Sequence, residues 1–284
     1  MIKLVLTDLD NTLIAHKPGE PFGDAVITDE GLVAIRALLD AGVHFGPSTG
    51  RGPASMAHTF RDQAWAYESG AYANGQLIYL DGQVVHEEWC SAELLQRVVD
   101  IVDEQPYGIT VIFNLEDDAA SWGVSSNAEK IARYAGERFI SRVEPRITAP
   151  SMKTIIRMGH DAAATPVLRD LLAAEVPELD FVLPSPEAMV IDITPKDYGK
   201  GSAVHIMAEA LGIGLDEVAV FGDADNDLSM LQAVPNSVAV ANASEAAAAA
   251  ARWHIGDAQE QSVARAMAEI AEATARGELP AFMQ

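Results

Sequence analysis

The chain has 284 residues, about half of them apolar, with 42 acidic against 19 basic side chains and a formal charge of −23. That excess argues against nucleic-acid and anionic-membrane binding, which need clustered Lys and Arg, and no basic run occurs. The single Cys90 rules out an intrachain disulfide, and no apolar stretch approaches the ~20 residues of a membrane span, so a cytoplasmic globular protein is expected.

In chain order, residues 2–6 form an apolar run that suits a strand buried on both faces of a parallel sheet. It ends in Thr7-Asp8-Leu9-Asp10-Asn11-Thr12. Residues 16–26 are rich in Gly and Pro and predict a loop. Thr28 caps an expected helix to residue 40, with Leu32, Ile35, Leu38 and Leu39 on its apolar face and Gly42 as its stop. A strand at 43–47 runs into Ser48-Thr49-Gly50-Arg51. A helix at 53–61 and a strand at 65–68 complete a βαβ rhythm.

The middle reads differently. Apolar runs at 76–80 and 84–89 flank Asp81-Gly82, a hairpin signal. Helices are expected at 92–104, 128–138 and 163–175. Strands are expected at 109–114, 155–158, 181–183 and 189–193. This is the pattern of an α+β unit with an antiparallel sheet. The βα rhythm then returns, with helices at 201–211, 225–233, 244–252 and 261–276 and strands at 218–221 and 237–240. The expected fold class is α/β, a Rossmann-like parallel-sheet core interrupted by an α+β insertion. The boundaries predicted are residues 1–81 and 196–284 for the core and 82–195 for the insertion.

Ligands of open parallel sheets bind at the carboxyl ends of the strands, and four segments fall there or just before a helix. Asp8 and Asp10 flank Leu9 at the mouth of a strongly apolar strand, so both carboxylates lie on one side of the chain. One can bind metal and attack phosphorus while the other handles protons. Gly222-Asp223-Ala224-Asp225-Asn226-Asp227 sets three carboxylates close together, which a hard cation relieves; acids at a helix N-terminus are the simpler reading. Thr49 and Gly50 precede a helix and can hold a phosphate oxygen or simply cap the helix. Lys200, followed by Gly201, offers positive charge in a chain that has little, with Lys196 as a nearby competitor.

Together these segments resemble the haloacid dehalogenase-like phosphohydrolases. Asp8 to Thr12 matches Asp-x-Asp-x-Thr, Thr49-Gly50-Arg51 matches the second motif, Lys200-Gly201 the third, and Gly222 to Asp227 the fourth, all in family order. Asn74-Gly75 resembles the family's core–cap junction, and the insertion between the second and third motifs resembles the large α/β cap, called type two, of the Cof-like subgroup. The resemblance implies that Asp8 is the nucleophile and a ligand of Mg²⁺. Asp10 is implied as general acid/base, giving its backbone carbonyl to the metal. Thr49, Gly50, Lys200 and Asn226 would bind phosphate, with Asn226 contacting phosphate or Lys200. Asp223 would be the third metal ligand, and Asp227 would orient metal-bound water. Asn11 stands where Gly is frequent, the 16–26 loop is longer than usual, and Asp225 adds an acid to the fourth motif.

The function these residues imply is Mg²⁺-dependent hydrolysis of small phosphate monoesters, with sugar phosphates leading, through an aspartyl phosphate on Asp8. The partner is then a small phosphorylated metabolite, with no nucleic acid and no membrane. A phosphosugar mutase or phosphotransferase would use the same aspartyl phosphate; free phosphate release distinguishes them. A non-catalytic phosphometabolite sensor has no need of a proton-transferring Asp10. Neither the oligomeric state nor the physiological substrate is legible.

Overall fold

The computed structural model describes residues 1–16, 24–137, 140–159, 162–184 and 189–284. The chain divides into two compact units: Met1–Arg51, Ser55–His86 and Gly199–Gln284 form the first, and Gly52–Ala54 with Glu87–Tyr198 the second. No helix among the described residues is long and apolar enough to cross a membrane. Of the loop expected at 16–26, residues 17–23 lie outside the described residues, as does the last residue of the helix expected at 128–138.

The first unit is built on a five-stranded sheet in the order Trp253–His254, Asn236–Ala239, Val218–Gly222, Leu4–Thr7 and His44–Pro47. Every neighbouring pair is parallel. Leu4, Val5 and Leu6 are fully buried, as are Val218, Ala219, Val220 and Phe221, which explains why these strands read as unbroken apolar runs. Leu4 and Leu6 pack in one cluster with Ala203, Val204 and Met207 of the helix Lys200–Leu211 and with Met230 and Leu231 of Leu228–Ala233. The register pairs Thr7 with both Phe221 and Pro47. Residues 8, 48 and 222 therefore emerge side by side at the carboxyl edge.

The helix Asp29–Asp40 starts where Thr28 accepts the Gly31 N–H at 3.1 Å. Its buried stripe is Gly31, Ala34, Ile35 and Leu38, a run of i, i+3, i+4 and i+7. Leu32 and Leu39, expected on that face, flank the stripe and are only half-buried. The strand expected at 65–68 is absent. Ala64–Ala66 forms a 3-10 turn, and Trp65 is held beneath the Arg36 guanidinium, 3.8 Å from its ring centroid. The strand lies further on, at Gly70–Tyr72, and pairs with Leu77–Leu80. Gln83–Glu87 completes this three-stranded sheet, and φ is positive at both Asp81 and Gly82, as a type I′ hairpin turn requires.

The second unit holds a six-stranded sheet in the order Leu179–Val182, Val190–Pro195, Thr154–Arg157, Ile109–Asn114, Asp117–Val124 and Val143–Glu144. It is antiparallel except at the last pair. Helices Ala92–Glu104 and Thr165–Glu175 bury Leu95, Val98, Val102, Leu168 and Leu172 against Ile112, Ile156, Ile191 and Ile193. The molecule is thus an α/β core with a parallel sheet and a separate antiparallel unit inserted into it.

Candidate active site

Asp8 is the first residue past its strand, and its N–H donates to the Phe221 carbonyl at 2.9 Å. Lys200 opens the helix Lys200–Leu211 and is completely buried. Its ammonium donates to Asp8 Oδ1 and to Asp227 Oδ1, both at 2.5 Å. Gly201 makes this placement possible: a Cβ there would lie 2.6 Å from the Ser229 carbonyl oxygen, so only glycine lets the helix sit this deep.

The other Asp227 oxygen accepts the N–H groups of Asp223 at 2.9 Å and Ala224 at 3.1 Å. This folds the segment after Val218–Gly222 back on itself. A Cβ on Gly222 would lie 2.6 Å from that of Asp227. The spacing of the fourth motif is therefore a packing requirement: Gly222 clears the room that Asp227 fills. Asp223 Oδ1 accepts the Thr12 hydroxyl at 2.7 Å.

Carboxylate oxygens of Asp8, Asp223 and Asp227 lie within 4.8 Å of one another, all buried. Three carboxylates face one ammonium in a site that bulk water does not screen. Burial raises the Asp8 pKa well above the ordinary value; the Lys200 ammonium opposes the rise, and the carboxylates of Asp227 and Asp223 add to it. Asp223 is pushed up to about 7, by burial first and by Asp227 second. Burial works against the Lys200 charge, but Asp227 and Asp8 outweigh it and hold that pKa above the usual lysine value. Buried oxygen donors with surplus negative charge are the donor set a hard divalent cation takes, so these residues fit a metal. The cluster contains the Asp227 carboxylate and not that of Asp10. Both Asp227 oxygens already accept bonds from Lys200 and backbone N–H groups, which leaves Asp8 and Asp223 as the carboxylates best able to reach an ion.

The Asp223 shift has a measurable consequence. The metal-free folded protein keeps a proton on Asp223 that an unfolded chain releases near the ordinary Asp pKa of about 3.9. Stability from this group is full below about pH 4 and is lost as pH rises through about 7. A cation needs the deprotonated carboxylate, so its stabilisation grows over the same interval. The melting temperature of the metal-free protein should fall between about pH 5 and 8, and the increment given by a divalent salt should be larger at about pH 8 than at 5.5. Differential scanning fluorimetry checks both; equal increments would contradict the assignment.

Asp10 points elsewhere. Its Oδ1 accepts from Arg51 Nη2 at 2.5 Å and faces His16 Nε2 at 2.5 Å, and its Oδ2 accepts from Arg51 Nε at 2.9 Å. Arg51 Nη1 donates to the Thr59 hydroxyl at 2.9 Å. Burial alone would raise the Asp10 pKa; the His16 hydrogen bond and the Arg51 charge outweigh it and hold the group at about 2.

Thr49 is buried, and its hydroxyl accepts the Arg51 N–H at 3.1 Å; this closes a turn two residues on and is not the helix cap that was the simpler reading, because the helical turns begin only at Pro53. That bond uses an oxygen lone pair and leaves the hydroxyl proton to donate. Gly50 forms the bend between Thr49 and Arg51. The Asn226 amide oxygen is buried with no partner among the described residues, so the alternative of a bond to Lys200 is not formed. Asp225 is exposed, 3.4 Å from the Ser244 hydroxyl, and stands outside the carboxylate cluster. Lys196, the competitor of Lys200, pairs with Asp180 in the second unit. Sequence reasoning did not single out His16 or Thr12 as side chains of the site. A lone histidine in a loop carries no pattern, although Thr12 lies inside the first motif.

The sequence pattern of one protein family, haloacid dehalogenase-like hydrolase, matches residues 5–267. The chain belongs to that family. The hydrolase is 26% identical over 254 residues to an HMP-PP phosphatase of Enterobacter sp. (strain 638), covering 86% of this chain and 85% of that one. It is 26% identical over 250 residues to a phosphoglycolate phosphatase of Pyrobaculum neutrophilum, covering 88% and 87%. Among solved structures it is similar to SMU.1108c from Streptococcus mutans, with a TM-score of 0.77 at 19% identity over 94% of this chain and 98% of that one. It is also similar to the HAD subclass IIB sugar phosphatase BT4131, with a TM-score of 0.72 at 19% identity over 93% and 97%. The hydrolase therefore has the fold, as well as the motifs, of that family.

Proposed function

We propose that this hydrolase is a Mg²⁺-dependent phosphatase of small phosphate monoesters, sugar phosphates foremost, that works through an aspartyl phosphate on Asp8. The observation that carries the reading is the buried carboxylate of Asp8 at the sheet edge, bonded to Lys200 and grouped with Asp223 and Asp227. Sugar phosphates lead because one structural relative is named a sugar phosphatase. Two other relatives are named for different substrates, as an HMP-PP phosphatase and a phosphoglycolate phosphatase, so the class is broader than one substrate.

A phosphate monoester is an anion, and an approaching carboxylate is repelled. Asp8 and Asp223, with the Asp10 backbone carbonyl, would hold Mg²⁺, whose charge when bound would offset this repulsion. Asp8 attacks phosphorus in line and forms the acyl phosphate, dividing one hard step into two. Lys200 and the Thr49 hydroxyl stabilise charge on the phosphoryl oxygens, joined by Gly50 beside Thr49 and by Asn226 in the segment after Val218–Gly222. Asp227 fixes Lys200 on one side and the Asp223 backbone on the other, and so sets the geometry of both. Asp10 protonates the leaving oxygen and then takes a proton from the attacking water. It must loosen from His16 and Arg51 to do so, because at a pKa of about 2 it carries no proton near neutrality.

Residues 82–195 are assigned the role of a cap that selects the leaving group. Replacing the second unit's stretch Glu87–Tyr198 with a short linker, which spares residues 83–86 of the core sheet, should leave hydrolysis of a minimal aryl phosphate and flatten the preference among larger esters; an unchanged preference would refute the role. The reading as a whole is tested by phosphate release from a panel of phosphate esters, with Mg²⁺ and with EDTA. Release that EDTA abolishes and Mg²⁺ restores supports it. Isomerised sugar without free phosphate would point to transfer instead.

A further inference from the structure

We propose that His16 is a positioning residue for the proton-transferring Asp10, an inference that rests on the phosphatase reading above. The Asp10 carboxylate is gripped from two sides. Arg51 engages it with Nε and Nη2, and His16 closes on Oδ1 from a separate loop. Opposite a carboxylate oxygen, only an imidazole with its proton on Nε2 makes a favourable bond at that separation.

His16 is itself anchored. The Gln259 side-chain amide donates to the His16 carbonyl at 2.7 Å, and the Gln259 N–H is fixed by Asp257 Oδ1 at 2.8 Å. A second amide works beside it: Asn242 Nδ2 donates to the Asn11 carbonyl at 2.7 Å, while its Oδ1 accepts the Ala258 N–H at 2.9 Å. The loop carrying Asp10 is thus tied by Asn242 before His16 and by Gln259 at it. The ring reaches Asp10 from a backbone held at Asn11 and at His16. Arg51 is braced by Thr59, whose hydroxyl donates to the Ser55 carbonyl at 2.9 Å. A carboxylate that must swing toward a leaving oxygen and return needs a defined resting point, and His16 supplies the side of it that Arg51 leaves open.

The role predicts selectivity by leaving group. The ratio kcat/KM reports steps up to departure of the alcohol. A p-nitrophenolate leaves without a proton; the alcohol of an alkyl phosphate needs one from Asp10. Misplacing a catalytic group by an ångström can cost on the order of 100-fold, so His16→Ala should lower kcat/KM for an alkyl phosphate at least ~10-fold while changing that for p-nitrophenyl phosphate less than ~3-fold. His16→Gln, whose amide nitrogen can stand near the place of Nε2, should recover most of the loss. Gln259→Ala should show the same selectivity at smaller amplitude, and it carries the test if the His16 variants fail to fold. Equal losses on both substrates, or none, would overturn the proposal. Asp10→Asn, measured alongside, separates the two readings. If it is selective and the His16 and Gln259 variants are not, only the role of His16 falls. If it is unselective, Asp10 is not the acid and both fall.

Discussion

Asp8→Asn is expected to abolish turnover while the protein keeps its fold and melts at or above the wild-type temperature. The loss follows from removing the nucleophile; comparable deletions in other covalent enzymes cost on the order of 10⁶-fold in kcat. The stability side is decided by which electrostatic effect wins. Removing one partner of a buried ion pair ordinarily destabilises, because the other charge is left alone. Here Lys200 keeps Asp227 at 2.5 Å, and the amide oxygen of Asn can still accept from it. The charge removed is the one that burial and two neighbouring carboxylates most oppose. Relief of that repulsion should therefore match or exceed the lost attraction. Thermal melts without metal, together with phosphate release, check both halves. A variant that unfolds would show that Asp8 is held chiefly as a structural partner of Lys200.

Lys200→Met gives the opposite pattern, with activity and stability lost together. Met approximates the length of the side chain but leaves Asp8, Asp223 and Asp227 with no cation. Stranding buried carboxylates costs roughly 3–5 kcal/mol, and loss of phosphate stabilisation should cut kcat on the order of 10²–10³-fold, the scale of one oxyanion donor. The sign of the pH effect follows. Without Lys200, the Asp8 carboxylate, which burial and its acidic neighbours already push upward, gains stability by protonation in the folded state, so the variant should recover stability as pH falls toward about 5. Urea unfolding at two pH values, with and without Mg²⁺, reads this directly. Divalent cation should rescue stability more than activity. Lys200→Arg is not expected to substitute, since the Lys200 side chain is completely buried and Gly201 packs against the Ser229 backbone with no slack.

Much of the site was legible because its chemistry is local. The helix and strand ends that present Asp8, Thr49, Lys200 and Asp223 are marked by abrupt changes from apolar to polar residues, and parallel pairing of the buried strands brings those ends together. The hairpin at Asp81-Gly82 and the helix Ala92–Glu104, capped by Ser91, were readable for the same reason: a turn residue or a cap acts within a few positions.

What escaped depends on partners outside the segment itself. Asp117–Val124 opens with acids and small residues that favour no strand, and it becomes one by pairing with Ile109–Asn114. Gly70–Tyr72 has little β propensity of its own and forms through Leu77–Leu80 and a bridge from Ala71 to Ser48. Trp65 suggested a strand and instead stacks under an arginine from another helix. His16 gains meaning only when Arg51, 35 positions away, and Gln259, 243 positions away, converge on the same loop.

The most direct test of the account is to find where phosphate goes before it is released. Asp10→Asn should slow breakdown of the intermediate, so this variant, mixed with a p-nitrophenyl ester and Mg²⁺, can be quenched in acid and digested for mass spectrometry. A covalent phosphate on the peptide carrying Asp8, absent when Asp8→Asn is added, is the predicted result. Phosphate released with no protein-bound phosphate at any time, or bound on another residue, would contradict it.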